Sequence, residues 1–84
     1  MRMHELKTWP RFFHAMADGS KTFEVRKDDR GFVVGDVLNL REWLPEPGMC
    51  TGESLLVTVT YILRGFGIDD GFVVLGIKHG TFEF

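Results

Sequence analysis

Lys21, Glu24 and Arg26 are the residues whose types and spacing are best suited to chemistry, and one short stretch, Gly19-Ser20-Lys21-Thr22-Phe23-Glu24-Val25-Arg26-Lys27, holds all three. In an extended strand, residues two apart project from the same face, so Glu24 and Arg26 share a side, with Lys21 at the strand's start. A carboxylate then stands between two cations, and three roles are open to it. In a catalytic role Glu24 is a general base, and Lys21 or Arg26 stabilises developing negative charge. In a binding role the cations face a phosphate or carbonyl, and Glu24 accepts from a base edge or a ribose. In a structural role the three form an ion-pair network that holds a helix to a sheet.

Four further residues can join such a site. Lys7 either reaches the same cleft or stays solvated. Trp9 either stacks on an unpaired base or packs where a helix begins. Lys27 and Arg30 either clamp a backbone phosphate or sit in a solvated turn. Trp43 and Tyr61 read as sheet residues. His4, His14 and His79 have no Cys or carboxylate at a metal-ligand spacing, so neither zinc nor another cofactor is expected. Cys50 lies in a proline-rich stretch without a local activating partner, which argues against a catalytic thiol. Gly65-Phe66-Gly67 is too sparse for a phosphate-binding loop, because no Gly-Lys-Ser/Thr follows it.

The elements that must position these residues are legible in outline. His4 to Lys7 reads as a short strand. Thr8-Trp9-Pro10 reads as a helix start, with Thr8 as N-cap and proline in the first turn. Phe12, Phe13, Met16 and Ala17 recur at helical spacing, and Gly19 supplies the left-handed position that ends the helix. The rest reads as β. Strands are expected over 22–27, with Phe23 and Val25 opposite Glu24 and Arg26, and over 37–43 after a tight turn at Gly35-Asp36. A long loop is expected from Leu44 to Gly52, given Pro45, Pro47 and Gly48. Leu55 to Leu63 follows as a central strand, with Leu55, Val57, Val59, Tyr61 and Leu63 on one face. Phe72 to Ile77 is the last strand, with Gly76 marking a bulge or close backbone approach. One early helix followed by strands in mostly hairpin order predicts an α+β, mainly β domain: a small closed or nearly closed barrel of about five to six strands.

The segment Gly-x-Lys-x-x-Glu-x-Arg, placed between a short helix and a strand, resembles the signature of the ASCH domain of the PUA-like superfamily. The flanks agree: His4-Glu5-Leu6-Lys7 before the helix, Val34-Gly35-Asp36 before the next strand, and Val73-Val74-Leu75-Gly76-Ile77 at the end. The chain is similar to a compact subfamily of phage and bacterial ASCH proteins over about residues 4–77, with 78–84 as a tail that packs on the barrel or pairs with another subunit. The resemblance implies a PUA-like barrel with a cleft between helix and sheet that binds RNA or a modified base. In ASCH amidohydrolases acting on acetylated cytidine nucleosides, the catalytic set is a Lys, a Thr nucleophile and a Glu. Lys21 matches the lysine, but Glu24 stands at the threonine position, three residues on. Thr22 is expected on the face of Glu24 and Arg26. Other ASCH proteins are ribonucleases, which need no such hydroxyl.

Size and charge bound what remains. With 84 residues, 44% of them hydrophobic and including eight Phe, the chain supports a single domain with a real core. The lone cysteine forbids an internal disulfide, Met1 to Glu5 holds no signal-peptide core, and no apolar run reaches the ~20 residues of a membrane span, so the cytoplasm is the expected compartment. The net charge of −2 argues against a broadly basic nucleic-acid binder. Residues 1–30, however, carry seven Lys or Arg against five Asp or Glu, and residues 31–84 carry three against seven, so an anionic ligand should meet the N-terminal third. The expected function is an RNA- or nucleotide-binding module with Lys21, Glu24 and Arg26 in the cleft and Lys7, Trp9, Lys27 and Arg30 around its rim. The alternatives are a small hydrolase of RNA or a modified nucleoside using Lys21 and Glu24, and a phage-type protein-interaction module. Oligomeric state is left open.

Overall fold

The computed structural model describes residues 2–80. In chain order the elements are β1 (Met3–Thr8), α1 (Pro10–Ala17), β2 (Phe23–Lys27), β3 (Val37–Leu44), β4 (Met49–Leu63) and β5 (Phe72–His79). The five strands form one sheet in the order β1-β3-β4-β5-β2, curled into a half-barrel. The expected α+β, mainly β architecture with one short N-terminal helix is therefore present. β3, β4 and β5 are an antiparallel meander, β2 adds antiparallel to β5, and β1 pairs parallel with β3. A parallel pair needs a crossover, and α1 with β2 lies on it.

The core lies on the concave side. Leu6, Leu38, Leu40, Val57, Val59 and Leu75 are among the buried residues that meet there, joined by Met16 of α1. Truncating one such leucine to alanine costs about 2–5 kcal/mol. An eight-residue helix is marginal by itself and depends on this packing. Its end is also tied to the sheet, since His79 Nε2 lies on the Met16 carbonyl and His14 Nε2 lies 2.9 Å from Glu42 Oε2 of β3. Gly19 has φ +86° and Lys21 N–H donates to the Ala15 carbonyl at 2.9 Å, the expected left-handed exit.

Several boundaries differ from the sequence reading, each for a local reason. The N-cap is Trp9, not Thr8, and no side chain caps the helix. Thr8 is the last residue of β1, whose alternation turns His4, Leu6 and Thr8 inward, so its hydroxyl faces the interior instead of the helix. The loop expected over 44–52 shrinks to 45–48, because β3 runs to Leu44 and pairs it with Met49. The prolines occupy the turn itself and leave Cys50 and Thr51 free to join β4. Tyr61 does not share the buried face of Val57 and Val59. The register of β4 against β5 shifts between Val59 and Tyr61, which turns Tyr61 outward and gives Ile62 its place against the core. Gly76 sits opposite that bulge, where a Cβ would come within 3.2 Å of Thr60 Oγ1, so the close approach expected there is real.

Among the described residues the barrel is not closed by backbone pairing, since β1 and β2 are the two edges of the sheet. Arginines bridge the seam instead. Arg26 Nη2 donates to the Lys7 carbonyl at 2.9 Å, and Arg30 Nη1 donates to the Glu5 carbonyl at 3.1 Å. Carbonyls two apart on a strand point the same way, so both guanidinium groups cover the outer edge of β1. Lys78 and His79, assigned to the tail from sequence, complete β5, and the tail's last residues, 81–84, lie outside the described residues. Among the described residues no helix is long and apolar enough to cross a membrane.

Candidate functional site

β2 is an inverted strand. Its apolar residues Phe23 and Val25 are exposed, whereas Glu24 is only 5% exposed and Arg26 is half-buried. Charges turned inward on a sheet edge need partners, and these two supply one another: Arg26 Nη2 donates to Glu24 Oε2 at 2.8 Å. Lys21 Nζ lies 3.6 Å from Glu24 Oε1 and donates to the Phe23 carbonyl at 2.7 Å. The carboxylate flanked by two cations, expected from spacing alone, is thus present.

A cleft of about 310 Å³ opens beside this group, lined by Lys7, Thr8, Trp9, Phe12, Lys21, Glu24, Val25 and Arg26. Five of the residues singled out from sequence (Lys7, Trp9, Lys21, Glu24 and Arg26) converge there. Trp9 remains 52% exposed at the helix start, its ring stacked near Phe12 with centroids 6.5 Å apart and planes inclined by 22°. Lys21 Nζ lies 5.4 Å from the Phe12 ring and 4.5 Å from the Phe23 ring, which fixes its ammonium group against aromatic faces. Lys7 Nζ sits 4.1 Å over the Trp43 ring, so Trp43, read as a sheet residue, also orients a cleft cation.

Lys27 and Arg30 do not line this cleft. They line a second one of about 200 Å³ with Leu6, Asp29 and Phe32, and Arg26 is the wall common to both. Thr22, expected beside Glu24, precedes β2 and lines a third hollow with Gly19, Ile77 and His79. The cleft residues missed from sequence are Thr8, Phe12 and Val25. Thr8 was assigned to the helix cap, yet its Oγ1 accepts from Arg26 Nη2 at 3.2 Å. Phe12 lies three residues beyond Trp9, a helical spacing that could have placed both rings on one wall. Val25 borders the cleft because β2 is an edge strand with no neighbour on that side.

Other charged groups serve the fold. Asp36, 3% exposed, accepts from His4 Nε2 at 2.9 Å, Val33 N–H at 3.0 Å and Arg2 N–H at 3.1 Å. Burial pushes its carboxyl up, but the hydrogen bonds from His4 and from the two backbone groups outweigh burial and hold it below the usual aspartate value. Arg64 grips Asp28 through Nε at 2.5 Å and Nη2 at 3.1 Å, and that pairing holds the Asp28 carboxyl low and the guanidinium high. His4, which lies on the strand leading to the cleft, is thereby spent on Asp36. Among the described residues no group of three or more His, Cys, Asp or Glu is arranged to hold a metal.

Comparison with known proteins places the chain by sequence. A family model described as Domain of unknown function (DUF3850) matches residues 3–77. An uncharacterised 12.9 kDa protein in the GpA 3′ region of Escherichia phage P2 is 36% identical over 59 residues, covering 70% of this chain and 52% of the phage protein. The chain thus spans about half the length of that relative.

Proposed function

The chain belongs to the DUF3850 family, and we propose that its cleft is the base-binding site of an ASCH-type, PUA-like module for single-stranded RNA or a nucleotide. One observation carries this reading: an aromatic wall, exposed Trp9 backed by half-buried Phe12, and an ion-paired carboxylate, Glu24, border the same cleft. Stacking of a base on an aromatic side chain contributes about 1–3 kcal/mol, and it asks only for a flat exposed ring. Glu24 accepts from an exocyclic amine or ring N–H, while Lys21 and Lys7 face carbonyl or phosphate oxygens. The charge asymmetry along the sequence fits, because every lining residue lies in the positively biased N-terminal third. Kinship with a phage protein is compatible with nucleic-acid work but names no ligand.

The geometry favours a binder over a hydrolase. Both Glu24 oxygens face cations, which leaves neither poised to take a proton. The hydroxyl in the cleft, Thr8 Oγ1, accepts from Arg26 and is directed at the Leu6 carbonyl, not at a base. The test is a combined binding and turnover screen of nucleosides, acetylated cytidine and short single-stranded RNA, with Lys21→Ala alongside. Salt-sensitive binding that weakens in the variant is the expected result. Product formation would replace the binder with the hydrolase. Absence of both binding and turnover would leave a protein partner as the reading to pursue.

A further inference from the structure

We propose that the ligand is a phosphorylated nucleotide, with its base in the aromatic cleft and its phosphate in the second cleft beside Lys27 and Arg30. The inference rests on the base-binding reading of the first cleft and adds the substrate class. Both clefts draw residues from β1 and β2, and Arg26 is their common wall. A ligand that spans them must pass this guanidinium, whose Nε is buried with no hydrogen-bond partner. A buried orphan donor is costly to leave unmade. Its position on the shared wall supplies positive charge where a ribose-phosphate linkage would cross.

The second cleft has the charge pattern of an anion site. Three cations, Arg26, Lys27 and Arg30, border it against a single carboxylate, Asp29. Lys27 makes no ion pair among the described residues, and Arg30 spends Nη1 on a backbone carbonyl, which leaves its charge uncompensated. Asp28, the adjacent carboxylate, is already held by Arg64 and so does not neutralise Lys27. Arg2 donates to the Arg30 and Gly31 carbonyls and so fixes this turn, while its own charge is paired with Asp36 at 3.7 Å. At about 200 Å³ the second cleft has room for a phosphate group, whereas the larger cleft carries the exposed Trp9 ring.

The experiment is calorimetric titration of the whole protein with the four nucleosides and their 5′- and 3′-monophosphates. Lys27→Ala, Arg30→Ala and Trp9→Ala are titrated alongside. At least one monophosphate should bind about tenfold more tightly than its own nucleoside, as expected for a few charge-assisted hydrogen bonds. That advantage should shrink in Lys27→Ala and Arg30→Ala and persist in Trp9→Ala, where base affinity falls instead. Lys27 is exposed, so its variant keeps the test valid should Arg30→Ala unfold by losing the Glu5 contact. Equal binding of nucleosides and monophosphates overturns the phosphate subsite and leaves the base cleft standing. A monophosphate advantage undiminished in Lys27→Ala puts the phosphate elsewhere and overturns the inference. No binding of any compound overturns both.

Discussion

Two carboxylates in this small domain are buried to nearly the same degree, Asp36 and Glu24, and they are satisfied in opposite ways. Asp36 receives two backbone N–H groups and a buried histidine, none of which borders the aromatic cleft. Its hydrogen bonds hold the turn before β3 against β1, and a ligand has no way to exchange with them. Glu24 receives only side-chain cations, and all three groups line an open cleft beside exposed rings. Lys21 can turn toward a ligand oxygen by giving up one bond to the Phe23 carbonyl, whereas Arg26 also holds the Lys7 carbonyl across the seam. The contrast separates a carboxylate held by the backbone of the fold from one that lines an open cleft, the one we propose for recognition, although both look like buried ion pairs.

The strongest way to break the comparison is to remove each carboxylate in turn. Asp36→Ala strands three donors and should destabilise the protein by about 3 kcal/mol in denaturant titration. Ligand affinity should be unchanged in the surviving folded protein. Trp9→Ala should do the reverse, costing about 2 kcal/mol of binding to short single-stranded RNA by the stacking increment. Because the ring is half exposed, its thermal midpoint should hardly move. Glu24→Gln keeps the shape and removes the charge, with an expected stability cost of about 1 kcal/mol and an altered preference among bases. A loss as large as that of Asp36→Ala would make Glu24 a structural residue and dissolve the contrast.

The smallest effect concerns acid. The folded Asp36 carboxyl lies below its ordinary value of 3.8, so its contribution is fully present above that pH. It is lost as pH falls through the lowered value in the folded protein. Stability should therefore drop below about pH 4 in the parent more steeply than in Asp36→Asn, as read by denaturant midpoints across pH. Parallel curves would show that Asp36 is not the group responsible.

Much of this was legible in the sequence because it depends on local rules. The Lys21, Glu24 and Arg26 grouping follows from strand period, Gly19 marks a helix end, and Gly76 marks a bulge or close approach. What was not legible depends on contacts across the fold. Thr8 looks like a cap until β1 is seen to run through it. Tyr61 looks to share a face with Val57 and Val59 until the bulge opposite Gly76 shifts the alternation by one residue. Lys27 and Arg30 appear on one rim with Lys7 and Trp9, but Arg26 crosses to the Lys7 carbonyl and divides the space in two. No spacing in the sequence reveals that the seam is bridged by arginines, because β1 and β2 meet only through the curl of the whole sheet.

The most direct test of the central claim uses the protein's two tryptophans, one in the cleft and one outside it. Their indole N–H signals can be followed by nuclear magnetic resonance while short single-stranded RNA is added. The account predicts that the Trp9 signal shifts in a saturable, salt-sensitive way, with a smaller shift at Trp43 relayed through Lys7, which sits over its ring. Binding that leaves Trp9 unmoved, or that moves Trp43 instead, would contradict the assignment of this cleft as the ligand site.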